Sequence, residues 1–373
     1  MQPILQFGTS RFLQAHADLF ISEALESGNA LGRVTVVQTT ASAASARRVA
    51  AFSQGGTYPV VIRGWQDGAP VQREVQVRSV ANALQASRQW PQVLQAALAA
   101  QVIISNTGDR GYELEPSDDA GLLQGGRVPR SFPAKLLVLL HARYLHGAAP
   151  LTLMPCELLA NNGSALRGTV AGLARRWEMD RAFLAWLEGS CIWVNSLVDR
   201  IVSQALEPAG AVAEPYALWA IEAQAGMVLP CSHPQLVVTG CLAPYERRKL
   251  LMLNLGHSFL AEHWLLGARP AGETVREAMA DPALRTMLEA LWEEEVLPLF
   301  AALGEGEASR AYLAQVRDRF CNPFLDHRLA DIAQNHEEKK RRRLLPALEL
   351  AAGLGLQLPQ PRLRAAMAGS TPA

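Results

Sequence analysis

The stretch Ile-Leu-Gln-Phe-Gly-Thr-Ser-Arg-Phe, residues 4 to 12, decides the predicted fold of the first half of the chain. Its apolar run is typical of a buried strand and ends at Gly8, and residues 11 to 26 then carry apolar side chains at helical spacing. Residues 33 to 38 (Arg-Val-Thr-Val-Val-Gln) are typical of a second strand. A strand, a glycine turn, a helix and a strand form a βαβ unit, which predicts a parallel sheet with a right-handed crossover.

The same alternation continues further along the chain. A strand pair is predicted around the turn Asp67-Gly68, and a helix over residues 132 to 145 has Pro133 in its first turn. From about residue 164 onward the pattern predicts mainly helices, with prolines marking residues 207 to 235 as a connecting segment. We therefore predict two domains, an α/β domain over residues 1–240 and a mainly α-helical domain over residues 241–373.

Composition narrows the class of protein. The 373 residues are 49% hydrophobic, with a formal net charge of +0 and a pI near 7.1, which argues against nucleic acid as a main partner. The five cysteines include no Cys-x-x-Cys pair, so they fit a reducing cytoplasm better than a zinc module or a disulfide framework. The N-terminus lacks the pattern of a signal peptide, and no window reaches the ~18 apolar residues of a membrane span. We expect a cytoplasmic protein that has no membrane partner, and the oligomeric state stays open.

The turn after the first strand occupies the place of a dinucleotide-binding loop. The full Gly-x-Gly-x-x-Gly pattern is absent, because Ser10 and Leu13 stand where the second and third glycines would be. Small residues there would let the backbone approach a pyrophosphate at a helix N-terminus, but an ordinary strand-to-helix turn fits the residues as well. The candidate cofactor residues of this loop are Gly8, Thr9, Ser10, Arg11 and Phe12.

The end of the second strand bears on the choice of cofactor. An acidic residue there would bind the ribose of NAD, yet the sequence reads Gln38-Thr39-Thr40. Arg47 and Arg48 follow and could meet the 2′-phosphate of NADP, or could be surface arginines of the next helix. NAD against NADP therefore stays open at this point.

A second cluster of candidate residues lies at Lys249, Asn254 and His257. If each helical residue turns by about 100°, these three lie at about 0°, 140° and 80°, on less than half of the helix circumference. Lysine can act as a base, an asparagine amide can stabilise an oxyanion, and histidine can bind a hydroxyl. A solvated lysine and a core histidine explain the same residues without function. No metal site is predicted, because His257 and His263 lack the i, i+4 spacing of a zinc helix.

Several segments together resemble the long-chain mannitol dehydrogenase family, and within it the tagaturonate reductase (altronate oxidoreductase) branch. They occur in order along almost the whole chain. These segments are Gln-Phe-Gly-Thr-Ser-Arg-Phe-Leu-Gln-Ala-His (6–16), Val-Ile-Arg-Gly (61–64), Ile-Ser-Asn-Thr (104–107), Phe-Pro-Ala-Lys-Leu (132–136), Pro-Cys-Glu-Leu-Leu (155–159), Ser-Leu-Val-Asp-Arg-Ile-Val (196–202), the stretch around Lys249 and His257, and Arg-Phe-Cys-Asn-Pro-Phe-Leu-Asp-His (319–327).

The resemblance implies a Rossmann-like first domain and metal-independent hydride transfer between NAD(H) and a sugar acid or polyol. The substrate pair would be of the tagaturonate/altronate, fructuronate/mannonate or mannitol/fructose type. By the same resemblance, Lys249 is the general base, Asn254 holds the substrate oxygen and His257 orients it. It also implies substrate contacts at Asp199, Arg200 and Lys339, and places Asn106 and Thr107 with Thr39 among the cofactor residues.

Two departures from the family pattern affect the substrate. The mannitol-oxidising branch has asparagine where this chain has Leu158, so Asn162 is the candidate replacement. That branch has arginine where this chain has Asp331, whose charge would repel a substrate carboxylate. Asp331 and the missing loop glycines favour, as the alternative function, a catalytically inactive, dinucleotide-binding regulatory protein, whereas the intact Lys-x4-Asn-x2-His pattern argues against it. The basic run Lys339 to Arg343 is typical of the solvated face of a helix.

Overall fold

The computed structural model describes residues 1–40, 42–53, 56–108 and 110–369. The chain divides into two units, each with its own core. The first unit comprises Met1–Ile62, Arg73–Ala213 and Ala217–Leu242, and the second comprises Arg63–Gln72, Glu214–Tyr216 and Ala243–Ala373. Two short segments before residue 240 are thus part of the second unit. The domain boundary near residue 240 stays a prediction.

Strands and helices alternate up to residue 242. The strands are β1 (Ile4–Phe7), β2 (Val34–Gln38), β3 (Tyr58–Gln66), β4 (Ala69–Val77), β5 (Val80–Gln85), β6 (Val102–Ser105), β7 (Leu151–Pro155), β8 (Cys191–Trp193), β9 (Ser196–Asp199), β10 (Val202–Ala205), β11 (Ala211–Ala213), β12 (Leu218–Glu222) and β13 (Leu236–Thr239). The helices are α1 (Arg11–Gln14), α2 (Ala17–Glu26), α3 (Ala43–Ser53), α4 (Trp90–Ala99), α5 (Phe132–Leu145), α6 (Asn162–Arg176) and α7 (Arg181–Gly189), with a 3₁₀ turn at Ala120–Gln124.

The central sheet has six parallel strands in the order β5-β2-β1-β6-β7-β8. β1 pairs with strands on both sides, with Ile4 opposite both Val34 and Val102. Leu5 and Phe7 pack into the core on one face, and Ile4 packs into the core on the other face. A parallel sheet covered on both faces requires such continuous apolar strands, which is why β1 is buried throughout. This confirms the predicted α/β fold of the first unit.

The prediction of mainly helical structure from about residue 164 was wrong for residues 191 to 239. Six short strands, β8 to β13, lie there. Two smaller sheets result, with the orders β10-β11-β3-β4 and β13-β12-β9. Each of these strands has only three to five residues, and strands distant in sequence pair, as β9 does with β12. The local pattern is therefore too short to distinguish them from loops.

The predicted first helix is divided in two. Ser10 caps α1 by accepting a hydrogen bond from the Leu13 N–H at 3.2 Å, and α1 ends at Gln14. His16 has φ −127° and ψ −92°, outside the helical region, before α2 begins. The Ala15 carbonyl accepts a hydrogen bond from Arg200 Nη1 at 2.6 Å. A distant side chain thus satisfies a carbonyl that a continuous helix would use itself.

The second unit is built from helices, which confirms the helical part of the predicted fold class. Its helices are α8 (Ala243–Arg248), α9 (Leu255–Leu266), α10 (Val275–Ala280), α11 (Pro282–Ala290), α12 (Leu297–Ala302), α13 (Gly306–Phe320), α14 (Leu329–Ile332), α15 (His336–Arg343), α16 (Leu345–Gly353) and α17 (Pro361–Ala368), with π-helical turns at Lys249–Asn254 and Leu291–Val296. Within the described residues, no helix has both the length and the apolar character needed to cross a bilayer.

Candidate active site

Gly8 forms a tight turn at the carboxyl end of β1. Its φ is 121°, and a Cβ atom there would lie 2.5 Å from the Asn106 carbonyl oxygen, so the position requires glycine. The Asn106 N–H donates to the Phe7 carbonyl at 3.0 Å. The ends of β1 and β6 therefore meet where the strand order reverses, which is where parallel sheets of this order bind dinucleotides.

The Asn106 side chain joins three loops at this edge. Its Nδ2 donates to the Cys156 carbonyl at 2.7 Å, and its Oδ1 accepts from Ser10 Oγ at 3.3 Å. The Thr9 carbonyl accepts from Gln14 Nε2 at 3.1 Å and from Arg48 Nη1 at 3.4 Å. The loop after β1 is therefore held from both sides.

The other loop residues point away from this junction. Arg11 Nη1 donates to the Ser203 carbonyl at 3.4 Å, and the Phe12 ring stacks on His16 with centroids 4.8 Å apart. Thr39 is half-buried directly after β2. Arg47 is largely exposed and pairs with Glu207 at 3.7 Å. The glycine cradle and the strand order fit a dinucleotide, whereas the end of β2 offers no acid for its ribose.

Glu157 lies in the segment Pro-Cys-Glu-Leu-Leu that carries the family resemblance, but the sequence predicted no role for it in the site. Its buried carboxylate accepts four hydrogen bonds: from Ser105 Oγ at 3.1 Å, from the Thr107 N–H and Oγ1 at 3.0 Å each, and from Tyr112 Oη at 3.1 Å. Burial and the Glu157 charge raise the pKa of Tyr112, so the phenol stays protonated and donates. Glu157 therefore fixes the loop after β6, and with it Asn106 and Thr107.

Asn162 and Arg200 both bond the backbone of the first unit. The buried Asn162 Nδ2 lies within hydrogen-bond distance of the carbonyls of Pro155, Glu157 and Ser196, and its Oδ1 accepts from the Gly163 and Ser196 N–H groups at 2.9 Å. A substrate oxygen would have to displace one of these bonds. Asp199 ends β9 and is buried, and Arg200 follows it with its guanidinium on the Ala15 carbonyl.

Lys249 and Asn254 begin and end a π-helical turn in the second unit. A π turn uses i→i+5 hydrogen bonds and is frequent at functional sites. The Leu255 N–H bonds the carbonyls of both Leu250 and Met252, and the Met252 carbonyl also accepts from Trp292 Nε1 at 3.2 Å. A π turn has more residues per turn than an α-helix, so residues five apart are separated by a smaller angle. Lys249 and Asn254 therefore lie closer to one face than the predicted angle of about 140° implies.

The two arginines before Lys249 do not form one cationic group with it. Arg247 pairs with Glu305, and the Arg248 guanidinium lies over the Tyr245 ring at 4.6 Å while Nε donates to the Pro244 carbonyl at 3.1 Å. Each arginine is thus bound to a neighbour of its own.

Asn254 and His257 differ in their surroundings. Within the described part of the chain, the half-buried Asn254 amide has no hydrogen-bond partner. The His257 ring is buried, stacks on Phe320 with centroids 4.4 Å apart and meets His327 edge-on at 4.7 Å. Burial, and then the neighbouring His327 and arginine charges, hold the pKa of His257 well below its usual value, so the ring is neutral at pH 7.

Gly256 explains how these aromatic rings approach the helix. A Cβ atom there would lie 2.7 Å from Trp292 Cζ2 and 3.2 Å from Phe320 Cε2. The absence of a side chain therefore lets Phe320 reach the ring of the next residue, His257. The stacking fixes the orientation of the imidazole.

Cationic side chains surround the two histidines. Burial lowers the pKa of His327, Asp331 raises it, and Arg343, Arg319 and Lys339 lower it further. Arg319 forms two bonds of 2.9 and 3.0 Å with Glu214 and is thereby neutralised. Lys339 Nζ donates to the Ile332 carbonyl at 2.8 Å. The second unit thus brings His257, His327 and Lys339 together. Arg343 also lies near them, although the sequence predicted no role for it in the site.

The basic run Lys339 to Arg343 does form a helix, but the prediction of a solvated face was wrong for part of it. Lys340 is buried between Glu262 (3.4 Å) and Glu337 (2.7 Å), and Arg343 is half-buried. Among the residues that the structure describes, no group of three or more His, Cys, Asp or Glu side chains is placed to hold a metal ion.

Comparison with known proteins identifies the family. The mannitol dehydrogenase Rossmann domain matches residues 2–229, and the mannitol dehydrogenase C-terminal domain matches residues 241–370. Altronate oxidoreductase of Bacillus subtilis is 30% identical to this chain, over 96% of this chain and 77% of its own length. The altronate oxidoreductase of Halalkalibacterium halodurans is 33% identical, over 92% and 69% respectively.

Solved structures share the fold. A substrate-free D-sorbitol dehydrogenase matches with a TM-score of 0.83 at 22% identity, covering 98% of this chain and 79% of that chain. Pseudomonas fluorescens mannitol 2-dehydrogenase, in a ternary complex with NAD and D-mannitol, matches with a TM-score of 0.75 at 19% identity, covering 99% and 78%. With both family models matched along most of its length, the chain belongs to the mannitol dehydrogenase family.

Proposed function

We propose that this protein is an NAD-dependent, metal-independent oxidoreductase that interconverts a hydroxyl and a ketone of a sugar acid, with altronate as the first candidate substrate. The observation that carries the proposal is the placement of Lys249, Asn254 and His257 across a π-helical turn, with a neutral imidazole and an amide that has no hydrogen-bond partner among the described residues. The altronate oxidoreductases that cover most of the chain at about 30% identity support the substrate class.

In the direction of oxidation, the Lys249 amine takes the proton from the reacting hydroxyl while the carbon loses a hydride and becomes a carbonyl. NAD, when bound, supplies the acceptor for that hydride. Asn254 donates its amide N–H to the oxygen as negative charge develops, and His257 donates an N–H that positions it. In reduction, Lys249 returns the proton to the same oxygen.

The residues that would hold NAD are Gly8, Thr9 and Ser10 with Asn106 and Thr107, near the reversal point of the parallel sheet, and Thr39 after β2, whereas the side chains of Arg11 and Phe12 point away from it. Gly8 admits a close approach of the backbone, and Arg48 is engaged with the Thr9 carbonyl. Because Arg47 pairs with Glu207, neither arginine is set aside for a 2′-phosphate, which favours NAD over NADP.

The test follows the absorbance of reduced nicotinamide with altronate, mannonate and mannitol, each with NAD and with NADP. We expect turnover with altronate and NAD that survives prior treatment with a chelator. No change in absorbance with any of the substrates, while NAD still binds, contradicts the proposal. Complete loss of turnover after treatment with the chelator contradicts only the proposed metal independence.

A further inference from the structure

Arg343 ends α15 beside the helix that carries His257. Its Nη1 donates to Ser258 Oγ at 3.3 Å, and Ser258 is fully buried and directly follows His257. The guanidinium charge also reaches both histidines, because it lowers the pKa of His257 and of His327. Arg343 therefore lies close to His257, one of the two residues proposed to bind the reacting oxygen.

The charge of Arg343 is not balanced by an acid. A guanidinium has five N–H donors, and among the described residues Ser258 is the hydrogen-bond partner of Arg343, with no carboxylate within 4.0 Å. Burial lowers the pKa of Arg343, and the neighbouring positive charge of Arg342 lowers it further. A half-buried cation without a counterion is costly unless a ligand supplies one.

The other members of the same basic run are different. Lys340 pairs with Glu337 at 2.7 Å, and Arg342 pairs with Glu338 at 3.1 Å. Lys339 and Arg343 are four residues apart, so they lie on one face of α15, and Lys339 bonds only a backbone carbonyl among the described partners. Arg341 is exposed to solvent, so Lys339 and Arg343 are the members of the run that are half-buried and have no acid partner among the described residues, and both act on His327.

Nearby acids do not remove this charge. Glu214 is bound on both oxygens by Arg319, and Asp331 is exposed and acts on His327. Two cations, one of them a planar guanidinium, form the complement of a single carboxylate, which an arginine binds through two parallel hydrogen bonds. Asp331 thus need not exclude an acidic substrate.

We propose that Arg343, with Lys339, binds the carboxylate of the sugar-acid substrate and makes the enzyme prefer sugar acids to the corresponding polyols. The proposal rests on the proposed function, since it names the part of the substrate that selects it. Asn254 and His257 hold the reacting oxygen, and Arg343 holds the charged end.

The test compares Arg343→Met with Arg342→Met, its neighbour on the exposed side of the helix, using altronate and altritol, which carries a hydroxymethyl group in place of the carboxylate. We expect Arg343→Met to lower kcat/KM for altronate by roughly 10- to 100-fold, mainly through KM, because a charge-assisted hydrogen bond is lost. Turnover of altritol and the affinity for NAD should change less than about threefold, as should every constant of Arg342→Met.

Arg343→Lys keeps the positive charge but removes the planar guanidinium with its two parallel donors. We expect this variant to bind altronate more tightly than Arg343→Met and less tightly than the wild-type protein. Equal losses for altronate and altritol in Arg343→Met, or an unchanged preference, overturn the assignment. If the wild-type protein turns over neither substrate, the proposed function fails. Calorimetry with altronate and NAD then still tests Arg343, because binding lost in Arg343→Met and kept in Arg342→Met supports the carboxylate site, and equal binding overturns it.

Discussion

In the first unit, Gly8 and Asn106 lie at the ends of neighbouring parallel strands, whereas in the second unit Lys249, Asn254 and His257 lie on a helix whose hydrogen-bonding pattern changes between them. The strand ends meet because parallel pairing brings all carboxyl ends to one edge. The helical residues come closer to one face because the π turn has more residues per turn, and Trp292 Nε1 bonds the Met252 carbonyl within it. Cofactor groups thus follow from a general architecture, while the proposed acid–base group depends on one local irregularity.

This comparison predicts that substitutions in the second unit change turnover, and that those in the first unit change NAD affinity and stability. The largest effect is expected for Lys249→Ala. Removal of a general base costs about 10²- to 10⁴-fold in kcat, while the NAD dissociation constant should stay the same. Steady-state kinetics with altronate and fluorescence titration with NAD measure the two quantities. Near-normal turnover would contradict the role of Lys249.

Asn254→Ala should reduce kcat by about 10²- to 10³-fold, the usual effect of losing one oxyanion donor. Stability should hardly change, since the amide has no hydrogen-bond partner among the described residues. Asn162→Ala is the matched control, because that amide is buried among five backbone groups and its loss should cost roughly 2–3 kcal/mol in urea unfolding. The opposite result, an unstable Asn254→Ala and a stable Asn162→Ala, would reverse the two assignments.

Glu157→Leu tests the first unit directly. It leaves the Ser105, Thr107 and Tyr112 donors without their acceptor, which should lower the free energy of unfolding by about 2–4 kcal/mol and weaken NAD binding. Glu113→Gln, an exposed acid paired with Arg110, should have no measurable effect on either quantity. Unchanged NAD affinity in a folded Glu157→Leu protein would separate this carboxylate from the cofactor loop.

The dependence of stability on pH should have opposite signs in the two units. Burial raises the pKa of Asp18 in α2 from 3.8 to about 7, so the folded protein retains a proton that the unfolded chain releases, and stability falls as the pH rises through this window. Burial lowers the pKa of His257, so the unfolded chain binds the extra proton and stability falls as the pH drops below about 6.5.

Urea unfolding at several pH values measures both slopes. Asp18→Asn should flatten the loss between about pH 4 and 7, because the amide cannot ionise. His257→Gln should flatten the acid side, with a residual slope from His327, whose pKa is also lowered. A pH profile identical to that of the wild-type protein in either variant would show that the group does not titrate between the two states.

Local pattern was sufficient for elements whose side chains repeat regularly over enough residues. The helix predicted over residues 132 to 145 has those bounds in the structure, and the strand pair around Asp67-Gly68 is β3 and β4. The role of Glu157 was not predicted because its four donors belong to the end of β6 and to the loop after it, some fifty residues away in sequence. A lone glutamate after a strand does not reveal that its partners will converge on it.

The sequence by itself determined the βαβ start, the helical second half of the fold class and the family, because these depend on periodicity and on ordered motifs. Tertiary structure decided the break at Ala15, the π turn that relates Lys249 to Asn254, and which members of the basic run face His327. At each of these positions a hydrogen bond joins residues distant in sequence: Arg200 and the Ala15 carbonyl, Trp292 and the Met252 carbonyl, and Arg343 and Ser258. A hydrogen bond between distant residues leaves no periodic trace in the sequence, so only the folded chain shows it.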